Sequence, residues 1–184
     1  MTILVPCAPT SAVRWHDLRL TVDADREADL QALVQELGDL IGREVPNWRD
    51  GHARWELYMY AAARPEAQSA LRRTIAGDPD FSLASAVVVL MLDRVDPKER
   101  DRWTSILDPS VRGFSETRSR ELEILESLRS GDTLDSDTIQ NWSDWLQRKV
   151  VDSVRDEHIL SVLSQFARTK RIRQLAQDAL GAHN

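Results

Sequence analysis

The chain has 184 residues, 42% hydrophobic and 29% charged, with 24 basic against 30 acidic side chains and a net charge of −6. That composition excludes a disordered chain, and the acidic balance excludes a non-specific nucleic-acid coat, which needs a basic field over most of its surface. A single domain of this length buries about 70% of the surface its unfolded chain exposes, so no disulfide or metal staple is required.

The opening MTILVPCAPT has no basic segment before its short apolar run and does not read as a signal peptide. Cys7 is the single cysteine, which excludes an internal disulfide and fits a reducing compartment. Residues 1–22 are expected to form an extended N-terminal arm. Leu18, Leu20 and Val22 alternate with Arg19 and Thr21 as in a strand, and only the TILV segment is there to pair with them. Residues 23–184 are expected to form a single helical domain.

A first helix is predicted from Asp23–Asp25 to Gly42, with Leu30, Leu33, Val34, Leu37, Leu40 and Ile41 on one stripe. A second runs from Gly51 to Ala63 with Trp55, Leu57, Tyr58 and Met59, and stops before Pro65. A third covers 65–76. Asp78 then reads as a cap and Pro79 as the first residue of an apolar helix ending near 93. Its run 84–92 is half the length of a membrane span, which points to a cytoplasmic protein with no membrane contact. Short helices follow at 97–107 and at 115–130, the latter ended by Gly131. Residues 136–154 carry Ile139, Trp142, Leu146, Val150 and Val154 on one face, with a break offered at Ser143. A last pair covers 156–167 and 169–181.

Setting SDWLQRKVVDSV (143–154) under TKRIRQLAQDAL (169–180) aligns Ser143 with Thr169 as caps, Leu146 with Ile172, Val150 with Ala176, Asp152 with Asp178 and Val154 with Leu180. DPDFSLASAVVV (78–89) fits the same frame, with Phe81, Ser85 and Val89 inward. The helix HILSVLSQFA, a tight turn and then IRQLAQDALGA resemble a HEAT-type repeat, carried by Ile172, Arg173, Ala176, Ala179, Leu180 and Gly181. The resemblance covers 157–181 well, 136–156 and 65–93 fairly, and the rest poorly. It implies an all-α, irregular HEAT-like α-solenoid of about four helical hairpins. It also implies that Arg173 reaches an acid at a neighbouring turn, for which Asp152, Asp156 and Glu157 are the candidates.

Lys170, Arg171 and Arg173 crowd a helix start, where positive charge opposes the macrodipole. Arg168, Lys170 and Arg171, which the repeat does not require, form a candidate patch for phosphate or an acidic protein surface. Trp48 and Trp145 are candidate exposed anchors, while Trp55 and Trp142 read as core. His52, Glu56 and Asp50 read as a helix-start ion pair, and His158 stands beside Glu157 at another. No His-Glu-x-x-His, phosphate-cradling loop or nucleophile elbow occurs, so neither a cofactor nor a metal is expected.

The function these features favour is a non-enzymatic protein-interaction module, an adaptor or scaffold. An immunity-type partner that neutralises a toxin is the first alternative, a nucleic-acid-binding HEAT-like protein the second, and a small enzyme the least favoured. Only Lys98, Lys149 and Lys170 are lysine, a bias of the kind GC-rich bacterial genomes impose.

Overall fold

A computed structural model describes residues 15–45, 47–132 and 136–182, and every regular element among them is helical. The helices are α1 (Trp15–Ile41), α2 (Gly51–Ala62), α3 (Gln68–Gly77), α4 (Phe81–Leu92), α5 (Arg100–Thr104), α6 (Pro109–Arg129), α7 (Ser136–Gln140), α8 (Asp144–Ser153), α9 (Glu157–Phe166) and α10 (Lys170–Gly181). One-turn 3-10 segments at Pro65–Ala67 and Pro97–Glu99 lead into α3 and α5. The all-α class follows directly. The chain divides into two compact units, Met1–Val87 and Val88–Asn184, where the sequence suggests one domain from 23 to 184.

The strand-like reading of residues 18–22 is corrected, because α1 begins at Trp15 and runs through them. Leu18 and Val22 are four apart and suit a helix as well as a strand. Extending an existing helix adds one hydrogen bond per residue, whereas a lone strand has nothing to pair with. The TILV segment and Cys7 lie outside the described residues.

In the N-terminal unit α1 packs against α3 and α2. Leu30, Val34 and Leu37 of α1 are buried, as are Leu57, Tyr58 and Ala61 of α2 and Leu71 and Ile75 of α3. Leu40, expected on the buried stripe, is 52% exposed because the helix stops one residue later. That stop is a Schellman motif: Gly42 takes φ 67°, its N–H bonds Asp39 O at 3.3 Å, and Arg43 N–H bonds Gly38 O at 2.8 Å.

A buried polar staple holds this unit. Arg54 Nε donates to Asp78 Oδ2 at 2.8 Å and Nη2 to Asp78 Oδ1 at 3.2 Å, while Nη1 donates to the carbonyls of Trp48 (2.9 Å) and Arg49 (3.0 Å). Tyr58 Oη also donates to Asp78 Oδ2, at 2.8 Å. Burial raises the Tyr58 phenol well above its ordinary range, and the negative charge of Asp78 and its hydrogen bond push the same way.

The staple explains a second correction. Asp78 was expected to cap α4, but its carboxylate is taken by Arg54 and Tyr58 and additionally accepts only Asp80 N–H, at 2.9 Å. Asp80 caps α4 instead, accepting from Ser82 N and Leu83 N at 3.1 and 3.0 Å. With the start shifted, Ala84, Val87, Val88 and Met91 are the buried face, Ser85 and Val89 are half-buried, and Phe81 is 46% exposed. The inward frame assigned to 78–89 therefore fails.

In the C-terminal unit one apolar cluster runs from Leu125 and Leu128 of α6 through Ile139, Trp142, Leu146, Val150 and Leu160 to Ile172 and Ala176. Trp142 belongs to the core as expected. Arg100, 3% exposed, donates through Nε to Leu92 O at 3.1 Å, so it satisfies a C-terminal carbonyl of α4, and grips the Glu126 carboxylate with both Nη atoms. The helix expected at 115–130 starts earlier, at Pro109, where Asp108 accepts from Ser110 N at 2.9 Å and proline occupies the first helical position. The two bonds from Ser110 hold the Asp108 carboxyl below its usual range.

Gly131 ends α6 with φ 95° in another Schellman motif, in which Asp132 N–H bonds Ser127 O at 3.2 Å and Gly131 N–H bonds Leu128 O at 3.1 Å. No side chain lies within reach of a Cβ there, so the effect of Gly131→Ala is the backbone strain alone. The variant is expected to lose about 1 kcal/mol in chemical denaturation.

Candidate functional site

Three helices of the C-terminal unit build the candidate site, and the local chemistry of their starts sets it. Ser143 Oγ accepts from Leu146 N at 3.2 Å and caps α8, Asp156 Oδ1 accepts from Ile159 N at 2.9 Å and caps α9, and Thr169 Oγ1 accepts from Ile172 N at 3.2 Å and caps α10. The break read at Ser143 is thus the start of α8. Helices α9 and α10 form a tight pair, and α8 packs on α10.

Gln147 joins the helix starts. It is 0% exposed, its Nε2 donates to Trp142 O at 3.3 Å and Ile139 O at 3.5 Å, and its Oε1 accepts from Arg168 N at 3.0 Å. Outside this bond, Arg168 Nε pairs with Asp144 Oδ1 at 3.3 Å across the surface. The first turns of α8 and α10 consequently lie side by side.

Between them runs a groove of about 180 Å³ lined by Asp144, Trp145, Arg148, Thr169, Arg171, Ile172 and Leu175. Ile172 is buried at its base, Trp145 and Leu175 are half-buried, and Arg148 and Arg171 are exposed at its edge. Among the described residues no carboxylate pairs with Arg148, Lys170 or Arg171.

The structure divides the candidate residues. Arg171 and Trp145 meet in the groove, Lys170 is exposed on the first turn of α10, and Arg168 is occupied by Asp144. Trp145 is half-buried rather than exposed: it packs against the apolar cluster, the Arg118 guanidinium lies 3.5 Å from its ring centre, and Lys149 Nζ lies at 5.8 Å. Arg118 also pairs with Glu121 at 3.2 Å and lies 5.5 Å from the ring of Phe114, itself 60% exposed.

Trp48 belongs to the N-terminal unit and is half-buried too, with Arg49 4.3 Å from its ring; its carbonyl serves Arg54. Trp55 is half-buried rather than core. Arg173 does not reach Asp152, Asp156 or Glu157. Its Nη1 donates to Ala167 O at 2.6 Å, where the end of α9 supplies a free carbonyl closer than any acid.

His52 and Glu56 stand 3.5 Å apart and exposed, and Asp50 caps α2 by accepting from His52 N at 2.9 Å. Among the described residues no group of three or more His, Cys, Asp or Glu side chains is placed to hold a metal ion, and no helix is long and apolar enough to cross a membrane.

Sequence reasoning missed Arg54, Arg148 and Gln147. A signal existed for two of them. Arg54 shares the helical face of Leu57, Tyr58 and Ala61, and Gln147 that of Val150, Val151 and Val154. A polar residue on an apolar face needs partners, and the sequence alone marks it. The chain matches no family model, no curated protein and no solved structure.

Proposed function

We propose that the chain is a non-enzymatic protein-binding module, an adaptor or scaffold whose C-terminal unit stacks helical hairpins in the manner of HEAT repeats. The repeat reading is supported by equivalent positions of α8 and α10. Ser143 and Thr169 cap alike, Leu146 and Ile172 are buried alike, as are Val150 and Ala176, and Asp152 and Asp178 face solvent alike. Helices held in that way leave a groove between neighbours, and folds of this kind act by holding another chain along it.

The observation that carries the proposal is the groove itself, a partly apolar cleft edged by arginines that no carboxylate of the described chain neutralises. A partner would supply what the chain does not. Affinity purification of the tagged chain from its native cells at moderate salt, read by mass spectrometry and by the absorbance ratio at 260 and 280 nm, tests the reading. A protein partner in stoichiometric amount without nucleic acid is the expected result. Nucleic acid in the eluate, or the chain alone, would overturn it.

A further inference from the structure

Resting on the protein-binding reading, we infer that the α8–α10 groove takes an acidic peptide segment with one bulky apolar side chain, which enters between Trp145, Ile172 and Leu175 while flanking carboxylates meet Arg148 and Arg171. The size fits. A cavity of about 150 Å³ holds a benzene-sized group, and this groove offers about 180 Å³ over an apolar base.

The charge fits as well. Lys170 and Arg171 occupy the first turn of α10, where exposed cations oppose the macrodipole. Among the described residues the acid that lines the groove, Asp144, is already engaged by Arg168. In a protein of net charge −6, Arg148 and Arg171 at one apolar cleft, with no carboxylate partner among the described residues, are an arrangement that a carboxylate-bearing partner relieves, and arginine forks bind carboxylates in two-pronged fashion. Phosphate groups alone would use the rim and leave the base empty. Trp145 is stiffened for contact by Arg118 on one face, so little side-chain freedom is lost when its remaining surface is covered.

The test is selection of a displayed random-peptide library on the full-length chain at low salt, followed by affinity measurements on Arg148→Glu/Arg171→Glu and on Leu175→Asp. Enriched peptides are expected to carry net negative charge around one aromatic or large aliphatic residue. Their binding should weaken at least about tenfold in the charge-reversal variant and fall steeply with added salt. Both arginines are exposed, so an unchanged melting curve confirms that the loss is not unfolding. Enrichment of neutral or basic peptides, binding that ignores both variants, or no enrichment overturns the inference. The affinity purification judges the module reading separately: a stoichiometric partner that binds the charge-reversal variant equally well leaves the module in place and removes this groove from it.

Discussion

Replacing Asp78 with alanine is expected to cost about 3–5 kcal/mol and to unfold the N-terminal unit under conditions the parent chain tolerates. The Arg54 and Asp78 side chains are 6% and 0% exposed, so the variant leaves a guanidinium inside without its counter-charge and a tyrosine hydroxyl without its acceptor. Burial alone would lower the Arg54 pKa, yet the hydrogen bonds and charge of Asp78 reverse this and raise it, so the guanidinium stays charged and needs its partner. Tyr58→Phe removes one hydrogen bond and should cost only about 1 kcal/mol. It has a further signature at high pH. The folded state raises the Tyr58 pKa, so its contribution is complete below the unfolded value of 10.0 and is lost as pH climbs above it. The parent should therefore lose stability above pH 10 more steeply than Tyr58→Phe. Urea denaturation followed by circular dichroism reads both effects. A loss below about 1 kcal/mol for Asp78→Ala would mean that water or another acid replaces the carboxylate.

Much of the fold is legible in the residues because local chemistry and packing agree there. Gly42 and Gly131 take the positive φ that their positions at helix ends imply, and Ser143 and Thr169 cap where their spacing says. The failures have a common physical origin in long-range competition for one group. Asp78 precedes a proline and looks like a cap, but a residue 24 positions earlier claims its carboxylate. Arg173 matches a pattern whose arginine seeks an acid, but a helix-end carbonyl lies nearer. Leu18 to Val22 alternate in a segment too short to separate period two from period four. At the candidate site, Arg171 and Trp145 were visible as an odd charge and an unplaced aromatic. Their meeting with Arg148 depends on how α8 and α10 lie against each other, a long-range packing joined by the Gln147–Arg168 bond that no local pattern encodes.

Gln147→Ala is expected to destabilise the C-terminal unit by about 2–4 kcal/mol and to weaken groove binding even where the unit still folds. The substitution strips the part-buried Arg168 N–H and the buried Trp142 carbonyl of their partner, the buried orphan costing about 1–3 kcal/mol, and opens a void in a close-packed core. Gln147→Glu separates the two halves of the side chain's role. It keeps the acceptor for Arg168 N–H but buries a carboxylate against the Trp142 and Ile139 carbonyl oxygens, so its carboxyl pKa should rise on folding. The unfolded state then binds fewer protons than the folded one, and the stability of Gln147→Glu should increase as pH falls through that raised value while the parent gains nothing comparable. Denaturation curves of the two variants across pH measure this. Peptide affinity separates the roles further: Arg148→Glu/Arg171→Glu should lose binding at unchanged stability, whereas Gln147→Ala should lose both, because the amide that holds Arg168 fixes the distance between the groove's walls. Equal binding by Gln147→Ala and the parent would show that packing of α8 on α10 alone sets the groove.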